Sequence, residues 1–123
     1  MKVFPFLLMF FSSFISAQNS DESLIKASVN GLFEGMKTSD SSKISNAFTK
    51  NAILQTITKT GEAKTENIKN FATSISKAEK GSLEERIAFS NILIDGNLAS
   101  VWTPYEFYYQ GKFSHCGVNS FQL

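Results

Sequence analysis

The chain of 123 residues has a single Cys, a single His and a single Trp, and its 12 basic residues nearly cancel its 11 acidic ones. Each scarcity removes a class of function. One Cys, at position 116, cannot form an internal disulfide, and it excludes metal sites built on paired cysteines. A formal charge of +1, with lysines spread along the chain rather than clustered, lacks the electrostatic footprint that nucleic-acid binding needs. The apolar run from Val3 to Phe11 is too short to span a bilayer as a stable anchor. With no internal repeat and no low-complexity linker, the chain reads as one small domain held by its core alone.

What is present begins with an export signal. Met1-Lys2 gives a basic start, Val3 to Phe11 an apolar run, and Ser16-Ala17 small residues for cleavage, in the order of a Sec signal peptide. Residues 1–17 are therefore expected to be removed and residues 18–123 to form the domain, periplasmic or secreted. No Cys near the cut carries a lipid, so no stable membrane anchor is expected after cleavage.

From Ser20 to Lys37 the apolar residues Ile25, Val29, Leu32, Phe33 and Met36 recur at three- and four-residue steps, which predicts an amphipathic helix with Asp21 and Glu22 in its first turn. Gly31 and Gly35 weaken it, and either could admit a close backbone. Ser39-Asp40 caps a second, shorter helix through Ile44, Ala47 and Phe48. Ala52 to Thr58 reads as a strand, Lys59 to Glu62 as a turn before a short return strand, and Thr65 as the cap of a third helix with Ile68, Phe71, Ala72, Ile75 and Ala78 on one stripe. Lys80-Gly81-Ser82 breaks that helix before three long antiparallel strands. Helix, helix, strand, short strand, helix and three strands make an α+β arrangement with helices on one sheet.

The aromatic residues concentrate in the last of these strands, SVWTPYEFYYQGKFSHCGVNSF from Ser100 to Phe121. Gln110-Gly111 predicts a two-residue hairpin turn, and regular pairing from it sets Trp102 opposite Asn119, Glu106 opposite His115 and Tyr108 opposite Phe113. The preceding strand, Leu83 to Asp95, registers through Asp95-Gly96, with Phe89 opposite Trp102. One face then carries Ile87, Phe89, Leu93, Leu98, Trp102, Glu106, Tyr108, Phe113, His115, Asn119 and Phe121. The other carries Arg86, Ile92, Val101, Thr103, Tyr105, Phe107 and Cys116. A one-residue bulge at Asp95-Gly96-Asn97 would flip the first of the three strands relative to the other two.

This order, with WTPYEFY and GKFSHCGVNSF, resembles the nuclear transport factor 2-like superfamily, also called SnoaL-like, and most of all its lumazine-binding branch. The resemblance covers about Glu22 to Leu123. It implies a cone-shaped fold, three N-terminal helices packed on a strongly curved antiparallel sheet around a pocket, often dimeric through the outer sheet face. It implies no particular reaction, because the superfamily mixes isomerases, dehydratases, hydrolases and silent binders. The family's sheet ends on a further strand; here the chain stops at Phe121-Gln122-Leu123, so the final strand is expected to be missing.

On the face expected to look inward, Phe89, Trp102, Tyr108 and Phe113 would wall a pocket, with Glu106, His115 and Asn119 as its polar groups. A carboxylate beside an imidazole can move a proton, and it can equally serve as a cross-strand pair without any ligand. A dyad with no third member favours binding or structure over catalysis. Cys116 falls on the face opposite His115, which disfavours a Cys and His nucleophile or a metal site; no cofactor is expected. Tyr105, Phe107, Tyr109 and Val118 would form an outer aromatic stripe for a second copy. Three functions remain: an exported binder of a small planar molecule, a SnoaL-like isomerase or hydrolase using Glu106 and His115, and a structural or partner-binding dimer.

Overall fold

The computed structural model describes the backbone of residues 14–123 and side chains from Ser20 onward. The basic start and apolar run of the expected signal peptide lie outside the described residues. Helix α1 (Phe14–Lys37) buries Val29, Leu32 and Met36, the stripe that the three- and four-residue spacing predicts. It begins earlier than expected, so Asp21 and Glu22 are not in its first turn; Glu22 instead pairs with Lys26 one turn on, at 2.6 Å. Both side chains are more than two-fifths exposed, so that pair contributes little.

Asp40 caps α2 (Ser41–Asn46), its carboxylate accepting from the N–H groups of Ser42 and Lys43 at 3.0 Å each. Strands β1 (Leu54–Ile57) and β2 (Ala63–Glu66) form a separate two-stranded hairpin. Thr65, expected as a helix cap, lies within β2. Asn67 caps α3 (Ile68–Ser76) instead, by accepting from the Asn70 N–H at 2.9 Å. The outcome follows intrinsic preference, since Asn caps at least as well as Thr and β-branched Thr suits a strand. Leu32, Met36, Ile44 and Ala72 join the three helices into one core, with Phe33, Phe48, Phe71, Ile75 and Phe121 packed around it.

The second sheet is organised on β5 (Leu98–Tyr109). Strand β6 (Lys112–Gln122) runs along one of its edges, while β3 (Leu83–Ile87) and β4 (Asn91–Asp95) share the other in tandem. A single long strand was expected where β3 and β4 stand. Pro104 explains the break. The β5 carbonyls facing that edge include Trp102 and Pro104, which accept from Ser90 and Ala88, and Pro has no N–H to return to the ladder. Between Ile87↔Tyr105 and Asn91↔Trp102, four steps on one strand are set against three on the other, so the register slips by one.

A second slip lies on the other edge. Gln110 and Gly111 both take positive φ, 49° and 75°, as a tight primed hairpin turn requires, and Tyr108 pairs with Phe113 as expected. One step later Phe107 pairs with His115, leaving Ser114 as the extra residue of a β-bulge. From there on the partners are Glu106↔Cys116, Thr103↔Asn119 and Trp102↔Ser120. With a slip on both sides, β5 is turned over relative to the expected facing. Val101 and Thr103 are 1% and 0% exposed beneath the helices, whereas Trp102 between them is 49% exposed. Tyr105, Phe107 and Ile92 thus join the helix-covered face. Leu93, Leu98, Trp102, Glu106, Tyr108 and Phe113 project from the other.

Of the two helix glycines weighed for close approach, Gly35 provides it. A Cβ there would fall 3.0–3.2 Å from Lys43 and Ile44, including the Ile44 backbone nitrogen, whereas at Gly31 it would meet nothing within 4 Å. Gly31→Ala should therefore stabilise the fold by up to about 1 kcal/mol through helix propensity. Gly35→Ala should lose stability, because α2 must move. Urea unfolding of the two variants checks both signs.

Candidate functional site

Between α1 and β3 an open cleft of about 580 Å³ is lined by Asn30, Gly31, Phe33, Glu34 and Lys37 from the helix and Glu84, Glu85 and Ile87 from the strand. The bare Gly31 gives the cleft its width, since no atom fills the place of its missing side chain. Glu85 is the polar centre. It pairs with Phe107 across the ladder and so faces the helices, where Asn119 Nδ2 donates to its Oε1 at 2.6 Å from the far side of β5. Burial pushes the Glu85 carboxyl above its ordinary pKa; the Asn119 hydrogen bond and the positive side of His115 oppose that rise.

Tyr105, Phe107 and His115 continue the same face. The imidazole lies 5.0 Å from the Phe107 ring and edge-on to Tyr105 at 5.9 Å, with Ser114 Oγ 3.1 Å from its Nδ1. Tyr105 lies over Gly117, where any Cβ would come within 2.8–2.9 Å of its ring and hydroxyl. A glycine is needed at that point of β6 so that the ring can lie flat on the sheet. Desolvation, with the Glu85 charge second, raises the Tyr105 phenol above its usual value. Thr103 Oγ1, on the same face opposite Asn119, is fully buried and has no hydrogen-bond partner.

Of the seven site residues expected from sequence, His115 and Asn119 face the helices, and Phe89 lies with its ring 5.8 Å from the Lys26 ammonium of α1. The other four are on the outer face. Glu106 and His115 are separated by the sheet, so the expected acid and imidazole pair does not form. The cause is the Ser114 bulge, which gives Glu106 to Cys116 and His115 to Phe107. Glu106 instead accepts the Tyr108 hydroxyl at 2.9 Å, which raises that phenol, and the Arg86 guanidinium stacks 3.9 Å over the Tyr108 ring. Arg86 and Lys37 both bind Glu84 at 2.9 Å and hold its carboxyl below the usual range. The Cys116 and His115 separation does hold, with the two on opposite faces.

Glu85 and Tyr105 were missed as site residues. The signal that could have found Tyr105 is Pro104 in mid-strand, which forecasts a slip on the β3 side and so a reversed facing of β5; no local signal marks Glu85. A smaller cleft of about 200 Å³ near Leu24, Ile94 and Leu98 is mainly apolar and carries one acid, Asp21. Among the described residues no group of three His, Cys, Asp or Glu could hold a metal, and no helix is long and apolar enough to cross a membrane.

Three helices on a curved antiparallel sheet, with a polar-centred cleft between α1 and the sheet, define the cone of the nuclear transport factor 2-like class. A solved structure of that class, an NTF2-like protein of unknown function from Shewanella baltica OS155, superposes with a TM-score of 0.56 over 92% of this chain and 98% of that one, at 17% identity. At that identity the likeness shows the fold. The chain belongs to the family described as "Putative lumazine-binding", whose model matches residues 20–114. No curated protein matches the chain. Family and fold together point to a small-molecule-binding domain.

A carboxyl whose folded pKa is raised binds its proton more readily in the folded state. Its ionisation therefore costs stability above the folded pKa, and stability recovers as pH falls through that value. Glu85→Gln keeps the acceptor for Asn119 and removes the charge. It should stabilise the fold at pH 7 by on the order of 1 kcal/mol, which raises the melting temperature by about 4 °C for a domain of this size, and flatten the acid-side gain between pH 7 and pH 4. Thermal melts at the two pH values measure both effects.

Proposed function

We propose that the protein is an exported binder of a small planar heterocycle, held in the cleft between α1 and β3 with Glu85 as its hydrogen-bond anchor. The observation that carries the reading is the Glu85 and Asn119 bond at the cleft wall. It occupies one carboxylate oxygen and fixes the other toward N–H donors, while the Asn119 carbonyl remains an acceptor. Phe33 and Ile87 supply apolar walls, and the family description supports a pteridine such as lumazine, whose ring edge carries N–H and C=O groups side by side. A half-buried carboxylate loses less to water competition than an exposed one, so such a bond discriminates well. Among the described residues, Glu106 and His115 lie on opposite faces of the sheet, so the pair that the enzyme reading needs does not face the cleft.

Titration of the purified protein with lumazine, followed by calorimetry, tests the reading. Saturable one-site binding is expected. A hydrogen bond to a charged group contributes about 1.5–3 kcal/mol, so Glu85→Gln should weaken binding by about 10-fold or more. Trp102→Ala, on the outer face, should leave it unchanged. Binding that ignores Glu85 but falls with Trp102 would place the ligand on the other side of the sheet and end this account.

A further inference from the structure

The cleft between α1 and β3 sets three carboxylates, Glu34, Glu84 and Glu85, against one ammonium, Lys37. Glu84 is satisfied, since its Oε1 accepts from Lys37 Nζ and its Oε2 from Arg86, at 2.9 Å each. That pairing also engages the lining cation. Glu34 and Glu85 remain, and among the described residues neither has a cation within salt-bridge distance. One stands on each wall, so the cleft presents uncompensated acceptors from the helix and from the strand.

Local geometry brings these two acids to the same space. Gly31 and Glu34 are three residues apart, on one stripe of α1. Helical side chains lean toward the helix N-terminus, so Glu34 leans over the turn that holds Gly31, the bare place that gives the cleft its width. Across the gap, Asn119 holds one Glu85 oxygen and leaves the other to the cleft. The apolar walls beside them, Phe33 and Ile87, offer no side-chain donor. Against such walls a ring edge that carries C=O groups sets acceptor against acceptor. An amino group or a protonated ring nitrogen in the same place donates.

We infer that the cleft selects an amino-substituted heterocycle over the corresponding dione, with Glu34 on α1 as a second specificity-determining residue beside Glu85. The inference rests on the cleft being the ligand site. An amine between the walls supplies the donors that the protein withholds, because the Lys37 ammonium is engaged by Glu84. A dione satisfies the Glu85 oxygen with an N–H, but its carbonyls bring further acceptors to walls that already have an excess of them. The two acids contribute unequally. Glu34 is exposed, so water and salt weaken its pull, whereas Glu85 is half-buried and keeps more of its strength.

Two pteridines of the same shape test this in calorimetric titrations of the full chain: lumazine, with two oxo groups on its pyrimidine ring, and 2,4-diaminopteridine, with amino groups in their place. The diamine should bind about 10-fold tighter or more, the margin of a charge-assisted hydrogen bond. In about 1 M sodium chloride, where charges are screened beyond roughly 3 Å, that margin should shrink. Glu34→Gln should cut it by about 3-fold, the share of an exposed charge pair, and leave the affinity for lumazine unchanged. Glu85→Gln should weaken the diamine more than it weakens lumazine. Lumazine binding as tightly as the diamine overturns the inference and leaves the cleft reading standing. A preference for the diamine that Glu34→Gln leaves undiminished overturns it as well, since the helix wall would then take no part in the selection. If neither pteridine binds, both the inference and the cleft reading fall.

Discussion

Burial of Ala99, Val101 and Thr103 beneath the helices determines which way β5 faces, and the neighbouring strands take their places from it. These three are at most 5% exposed, and they are small or β-branched. Helices can lie close on such a surface, and the helix side of the sheet is already filled by Phe33, Phe71 and Phe121, with Phe33 edge-on to Phe121 at 6.1 Å. An indole at position 102 on that side would have to displace them. Overpacking a filled core costs about 1–3 kcal/mol. Leaving an indole half exposed forfeits part of its burial energy, but strains nothing.

The helical half was legible because its signals are local. The apolar spacing from Ile25 to Met36, the Asp40 cap and the Gly61 and Gly81 breaks each act within one or two turns of the chain. The hairpin turn at Gln110-Gly111 was legible for the same reason, and so was the separation of Cys116 from His115. The facing of β5 was not, because side-chain period in a strand is two and a single inserted residue reverses it. Ser114 and the stretch after Ile87 are two such insertions, one on each side. They left β3 and most of β6 on the expected faces while β5 and β4 turned over. Richness in aromatics drew the candidate pocket to Trp102 and Tyr108, although an aromatic cluster does not say which face it is on.

One correction altered the chemistry. With Glu106 outside, the acid that matters on the helix side is Glu85, brought to Asn119 across the intervening strand. Contacts of this kind join positions 34 residues apart, and no local pattern announces them. Glu84, its neighbour on the same cleft, meets Lys37 of α1 and Arg86. Two adjacent glutamates thus have opposite electrostatic fates: Glu84 is held ionised by two cations, while Glu85 is raised by burial with only an amide and a more distant imidazole to relieve it.

That contrast bears on why Glu85 is there at all. If its purpose were to fasten β3 to the rest of the fold, a cation opposite it would serve better, and Lys37 from the same helix already reaches the adjacent glutamate. A neutral amide at position 85 would keep the Asn119 bond without the desolvation cost. A carboxylate retained at a cleft wall, with one oxygen tied down and, among the described residues, no cation within salt-bridge distance, lowers stability in exchange for an acceptor strength that the fold itself does not use. Proteins tolerate such residues where function requires them. The open space at Gly31 across the cleft fits the same logic, because an alanine there would favour the helix and narrow the cavity.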